Sequence, residues 1–322
     1  MNKKYKDQVS LLIRILPVIA KEKDIALHGG TAINLFRREM PRLSVDIDLT
    51  YLPLKPRDVS LDEIKLILTR IKSNLIKVFP GINVTGPNDY SEETKLFCNL
   101  KGVLVKIEVN LIKRGSLTKP VLKTLCKTAQ DEFELHAEIS VIPDNLLFGG
   151  KICAALDRQH PRDIFDIKYL LEGEGITNEI KYGFIYCLLS SARPINELLN
   201  PTPTDQKEVL ENHFSGMTRE QFTYEDFEKI RKDLIIKIIG SLTDADKKFI
   251  LSFKSGTPDW SINSFGEFQK FPSINWKLQN INKFKTNSPE KYKRQLDKLN
   301  QVLSVEKTGS PIQHSFGDSP FG

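Results

Sequence analysis

Leu27-His28-Gly29-Gly30-Thr31-Ala32-Ile33-Asn34-Leu35-Phe36 and, past a break at Pro41, Leu43-Ser44-Val45-Asp46-Ile47-Asp48-Leu49 form the stretch around which the chain is organised. Ile25 to His28 is a short apolar run suited to a buried strand. Gly29-Gly30 then permits a tight turn and lets bare backbone N–H groups approach a phosphate. Thr31 to Glu39 reads as a helix with Ala32, Leu35 and Phe36 on one face, stopped by Pro41. From Ser44 to Leu49 polar and apolar residues alternate, which predicts a strand carrying Ser44, Asp46 and Asp48 on one side and Val45, Ile47 and Leu49 on the core side. Two parallel carboxylates repel unless a cation lies between them. Their hard oxygens suit Mg2+ or Mn2+, with bound phosphates completing the shell. On a solvated strand face the same acids would be two exposed residues and nothing more; the glycine turn upstream and Ser44 in line with them favour a nucleotide and metal site.

Two later segments extend this reading. Residues 82 to 112 turn to β-branched runs separated by Gly86-Pro87-Asn88-Asp89 and Lys101-Gly102, which predicts three strands. In the last of them Lys106, Glu108 and Asn110 alternate with apolar residues, so Glu108 is an acid on the polar face of an otherwise buried strand, or the partner of Lys106. From Asp144 the pattern becomes helical, with Asp144 or Asn145 as cap and Lys151, Ala155 and Arg158 on one face; Pro161 begins a second helix with Arg162 and Asp163 in its first turn and Asp166 one turn on. Spacing alone allows a plain interhelical salt bridge between these cations and acids.

The glycine pair followed by Asp-x-Asp resembles the signature of the polymerase-beta-like nucleotidyltransferase superfamily. More closely, GGTAINL with RLSVDIDL is similar to the AbiEii/AbiGii group, toxins of type IV toxin-antitoxin and phage-exclusion systems that include the MenT toxins. A second signature of that group, K-x-x-A-x-x-x-R-x-x-x-R-D-x-x-D, is filled by Lys151, Ala154, Arg158, Arg162, Asp163 and Asp166. Fifteen residues separate Gly30 from Asp46, more than in many superfamily members, so the intervening helix should be complete. The resemblance implies active-site roles for Lys151 and Asp166, a third carboxylate for which Glu108 is the matching residue, and an antitoxin partner. Lys151 would hold a triphosphate as a compact cation and Asp166 would orient it or the attacking hydroxyl. Arg158 and Arg162 would serve the phosphates or tie the helices together. Ser44 would bond a phosphate or be the point at which the antitoxin acts.

Length and composition set the frame. The 322 residues suffice for about two domains, and 40% hydrophobic with 27% charged residues is ordinary globular composition. Net charge is +6, which permits a polyanionic partner. Cys98, Cys126, Cys153 and Cys187 form no C-x-x-C pair and read as reduced core thiols of a cytoplasmic protein. No apolar run reaches membrane-spanning length. The expected architecture is α/β: a polymerase-beta-like nucleotidyltransferase domain with a small mixed sheet over residues 1–142, an α-helical domain over 143–304 that completes the NTP cleft, and a disordered tail over 305–322.

Smaller elements follow from local pattern. Asp7 to Lys23 should be a helix across the first strand, Ser60 and Glu63 should cap the next helix, Phe133 to Ile142 should be a strand, and helices are expected over 179–191, 204–213 and 224–242. Between Phe268 and Lys298 eight basic residues stand against two acids, interleaved with Phe271, Trp276, Phe284 and Tyr292, a pattern that fits RNA or an ordinary helix with buried aromatics. The expected activity is transfer of NMP from an NTP to an acceptor hydroxyl, in this family the tRNA 3′ end, using Mg2+ or Mn2+ held by Asp46, Asp48 and Glu108, with Gly29, Gly30, Thr31, Ser44, Arg158 and Arg162 holding the nucleotide. A kinase-like phosphotransferase and a non-catalytic nucleic-acid-binding module are the rival readings.

Overall fold

The computed structural model describes residues 1–86, 94–262 and 265–304. Its first half interleaves strands and helices: α1 (Lys3–Ile19), β1 (Ile25–His28), α2 (Gly29–Thr31) running into a π-helical turn (Ala32–Arg37), β2 (Asp46–Tyr51), α3 (Arg57–Val78), β3 (Asn83–Thr85), β4 (Lys95–Leu100), β5 (Val103–Asn110), β6 (Val121–Thr124), α4 (Lys127–Phe133) and β7 (Glu138–Val141). The second half is helical: α5 (Asp144–Arg158), α6 (Pro161–Glu172), α7 (Asn178–Leu189), α8 (Ile195–Leu199), α9 (Lys207–Val209) with a π-helical turn (Leu210–Phe214), α10 (Tyr224–Ser241), α11 (Asp244–Lys254), a 3-10 turn (Phe265–Lys270), α12 (Pro272–Asn287) and α13 (Pro289–Ser304).

The seven strands form one mixed sheet in the order β3-β4-β5-β2-β1-β7-β6. β2 lies at its centre, antiparallel to β1 with Asp48 opposite His28, and parallel to β5 with Asp48 opposite Glu108. Lys101 and Gly102, both at positive φ, close the two-residue β4–β5 hairpin. Ile47, Leu49, Val105 and Ile107 point away from the polar face and are buried, as strand alternation requires. α1 packs against β5 and β7, and one continuous apolar cluster runs from Val9 to Leu303 through both halves.

Several local expectations shift. β2 starts at Asp46, and Ser44 just before it is buried under the glycine turn, its hydroxyl 3.1 Å from that of Thr31. The helix after the glycines begins at Gly29 and ends by Arg37, and Met40 before Pro41 takes a left-handed φ of 51°. α3 starts directly after Pro56, so Ser60 lies inside it and bonds the Pro56 carbonyl, while Glu63 accepts from Lys55 and Tyr51 instead of completing a capping box. α4 occupies the start of the expected Phe133–Ile142 strand; left-handed Glu134 ends the helix and β7 begins only at Glu138. β6 and α8 had no strong periodic signal, and the 204–213 helix shortens to α9 and its π turn. The expected 305–322 tail and most of the Gly86–Asp89 turn lie outside the described residues. Among the described residues no helix is long and apolar enough to cross a membrane, and the four cysteines are buried thiols.

The helical half is seated on backbone contact between α5 and α7. A Cβ on Gly149 would lie 2.4 Å from the Gly183 carbonyl carbon, and one on Gly183 would lie 1.9 Å from the Asn145 carbonyl oxygen. Gly183→Ala is therefore expected to destabilise the protein by about 1–3 kcal/mol or more through overpacking. Gly150→Ala, whose Cβ would meet only Cys187 Sγ at 3.9 Å, should be neutral or slightly stabilising in the same denaturant titration.

Candidate functional site

Asp46 and Asp48 leave β2 on the same face, beside the turn that follows β1. Gly29 sits at φ +73°, and a Cβ there would lie 2.5 Å from Asp48 Oδ2, so only glycine lets this backbone ride on the carboxylate. Gly30 is as closely placed: its Cβ would lie 2.8 Å from both Ser44 Oγ and Arg42 Nη2. Thr31 donates to the Asp46 carbonyl and its hydroxyl lies 3.1 Å from that of Ser44, which ties the helix start to the start of β2. Ser44 and Thr31 are buried and brace the turn from beneath. Burial lifts the Asp46 carboxyl above its ordinary pKa, with Lys106 opposing and Asp48 reinforcing the shift. Arg162 Nη1 stands 4.0 Å from Asp46 Oδ2.

Glu108 projects from β5 at the register of Asp48, but Lys106 Nζ lies 2.9 Å and Lys95 Nζ 4.0 Å from its carboxylate. The pairing with Lys106 allowed by sequence is thus present alongside the alignment with Asp48. His28, opposite Asp48 on β1, bonds Thr50 through Nδ1 at 3.0 Å, and burial holds its imidazole below the ordinary pKa. His28, Gly29, Gly30, Asp48 and Glu108 open onto a cavity of about 1370 Å³ whose other walls include Lys151 and Arg158. Among the described residues no three His, Cys, Asp or Glu side chains already converge as metal ligands. The donor set that suits a hard divalent cation is the Asp46–Asp48 pair against the bare Gly29 backbone, with room for substrate phosphates to supply the remaining oxygens.

Beneath this face lies a buried ionic network. Lys151 Nζ is 2.9 Å from Asp163 Oδ1 and 2.8 Å from Asp166 Oδ2. Asp166 also receives both arms of Arg42, at 2.7 and 2.6 Å, and Asn34 at 3.0 Å. Asp163 receives Arg158 through Nε and Nη2. The interhelical salt bridge that spacing allowed is therefore present, and Asp166 is bonded to Lys151 and Arg42 and does not line the cavity. Burial alone would raise both carboxyls; Lys151 and Arg158 hold Asp163, and Arg42 and Lys151 hold Asp166, below the ordinary aspartate range.

Sequence reasoning did not single out Arg42, Asn34 or His28. Arg42 sits in the irregular link before β2, where periodicity is silent; its only signal was a basic residue next to a proline. The aromatics of the 268–298 stripe are mostly structural: Phe271 and Tyr292 are buried and Phe284 packs against the core, whereas Trp276 is 47% exposed and lines the cavity. Lys277 is likewise buried, donating to the Ser191 and Arg193 carbonyls.

Comparison with known proteins gives the class as nucleotidyltransferase. The chain belongs to the nucleotidyl transferase AbiEii toxin family of type IV toxin-antitoxin systems, whose family profile matches residues 10–280. Among solved structures it is similar to MenT4, a nucleotidyltransferase toxin from Mycobacterium tuberculosis H37Rv, at 10% identity, with 93% of each chain covered and a TM-score of 0.57, a likeness of fold. No curated protein matches the sequence.

The network makes a stability prediction with a definite pH window. Asp163→Asn is expected to cost about 1–3 kcal/mol at neutral pH, because it leaves Lys151 with Asp166 as its one carboxylate and gives Arg158 a neutral amide. The folded pKa of Asp163 is depressed, so its contribution is complete above about pH 4 and is lost as pH falls further; the variant's stability, followed by denaturant midpoints, should fall less steeply than the wild type's below that point.

Proposed function

We propose that the protein transfers a nucleoside monophosphate from an NTP to the 3′-hydroxyl of tRNA, blocking aminoacylation and growth until a cognate antitoxin restrains it. The observation that carries the reading is the Asp46–Asp48 pair on one face of the central strand, with Asp48 against Gly29 and on the wall of a large basic cleft. Asp46 and Asp48 would hold divalent cations, Mg2+ or Mn2+, which when bound offset the charge building on the α-phosphate. Gly29 and Gly30 present backbone to the phosphates, and Thr31 and Ser44 fix that turn. Lys151, held by Asp163 and Asp166, faces the leaving pyrophosphate as a fixed charge, with Arg158 and Arg162 beside it. The acceptor oxygen bonds the α-phosphorus, the bond to the bridging oxygen breaks, pyrophosphate departs, and the hydroxyl proton passes to Glu108, the carboxylate aligned with Asp48 one strand over.

Incubating the protein with total cellular RNA and NTPs labelled at the α- or the γ-phosphate tests the reaction. Label from the α-position should appear at tRNA 3′ ends with release of pyrophosphate. Asp46→Asn and Asp48→Asn should each lower this transfer by about 100-fold or more while leaving the melting midpoint near that of the wild type. Label carried from the γ-position to a protein or nucleotide would instead identify a phosphotransferase, and retained transfer in either variant would remove the metal assignment.

A further inference from the structure

Beyond the carboxylates the cleft carries a second group of cations that the reaction above does not use. β2 and β5 are parallel, so both run out at the same end of the sheet, about 10 Å past Asp48 at the strand rise. The segments that follow them are basic, Lys55-Pro56-Arg57 after β2 and Lys113-Arg114 after β5, and they are held together by the Gly115 N–H donating to the Tyr51 carbonyl at 2.8 Å. Gly115 is wedged there: at φ +85°, a Cβ would lie 2.5 Å from Leu54 and 3.0 Å from Phe271. Arg114 is consequently fixed between the β2 exit and the start of α12.

Arg114 is 5% exposed and lines the cavity, yet among the described residues it meets no carboxylate. Its Nη1 has only long contacts, 3.3 and 3.4 Å, to the Lys55 and Pro56 carbonyls, and its Nε is buried without a partner. Arg57 and Lys113 share the same wall and are also without ion pairs among the described residues, whereas Lys55 is satisfied by Glu63. Burial and the neighbouring Arg57 together lower the Arg114 pKa, a repulsion that a bound anion would relieve. Trp276 of α12 also lines the cavity, half-exposed, with Asn275 and Gln279. A guanidinium taken out of water without a counter-ion is costly, and an anion bound in the cavity would offset that cost through charge-assisted hydrogen bonds.

The cavity of 1370 Å³ exceeds the roughly 300–1,000 Å³ of a single small-molecule site, so it has room for two substrates. The triphosphate is assigned to the Gly29-Gly30 and Lys151 side, at the N-terminal end of β2. We infer that Arg114, with Arg57 and Lys113, binds a backbone phosphate of the acceptor strand, and that Trp276 stacks one of its unpaired bases, so that a single-stranded 3′ end is led past these residues to Asp48. The inference rests on the nucleotidyl-transfer reading for its placement of the triphosphate and names the subsite of the other substrate.

The test uses the full chain and a fluorescently labelled single-stranded oligoribonucleotide with a free 3′-hydroxyl, without NTP. Arg114→Gln should weaken its binding by about tenfold or more and reduce the log–log salt slope by about 0.7 for each phosphate no longer neutralised. Trp276→Ala should weaken binding by about tenfold with the salt slope unchanged, as removal of a stacking ring requires. The double variant R57Q/K113Q should flatten the slope further, and KM for the NTP should stay at the wild-type value in all three. Arg114→Gln should melt no lower than the wild type, since it removes an uncompensated charge. Oligonucleotide affinity and slope unchanged in these variants, or no binding by the wild type, would overturn the subsite; a raised KM for NTP with unchanged oligonucleotide binding would give these cations to the triphosphate and overturn it as well. Wild-type binding that depends on these residues but is followed by no transfer would leave the subsite standing and sink the proposed reaction.

Discussion

The interaction on which the rest depends is the sharing of Lys151 between Asp163 and Asp166. One buried ammonium between two buried carboxylates leaves a residual negative charge, which the buried Arg42 balances, while Arg158 meets Asp163 from the exposed side. Lys151, Arg42, Asp163 and Asp166 are tolerable in the interior only because the others are present, since a single unpaired charge there costs far more than the set. The members come from α5, α6 and the link that precedes β2, so charge balance forces these three segments into one arrangement. Arg42 is the residue that carries the constraint to the front of the sheet: its guanidinium bonds Asp166 on one side and lies under Gly30 on the other. The glycine turn is thus positioned by the helical half as much as by its own strand.

On that support the central strand divides the cleft. The Gly29-Gly30 turn and Lys151 stand toward the start of β2, the loops bearing Arg57 and Arg114 follow its end, and Asp46 and Asp48 lie between. In the proposed reaction the two anionic substrates approach the carboxylates from opposite ends of one strand, which keeps the acceptor and the leaving pyrophosphate on different sides of the reacting phosphorus. Parallel pairing of β2 with β5 makes this possible, because it brings Glu108 level with Asp48 and both basic loops to the same exit.

Much of this was legible in the residues. Alternation through Val45, Ile47 and Leu49 sets the face of Asp46 and Asp48, and the i, i+4 logic of two helices brings Lys151 to the acids of α6. What sequence could not supply was anything held by irregular backbone. Arg42, Arg114 and Gly115 lie in links without a period, and their roles depend on contacts with residues far along the chain. Alternation could not show that Ser44 is covered, because its burial comes from the Gly30-Thr31 turn folding over it. The aromatic residues near α12 misled for the opposite reason: their spacing suits a helix core and a stacking surface equally, and only packing separates buried Phe271 and Tyr292 from open Trp276.

That separation has an optical consequence. The chain holds two tryptophans. Trp260 is partly buried with its ring against Phe249 and Phe253 and does not line the cleft, while Trp276 faces it. Their indoles therefore emit from dissimilar surroundings, one packed on aromatic rings away from the cleft and one wet beside it, so the unlabelled protein carries both a probe of occupancy and its own internal reference.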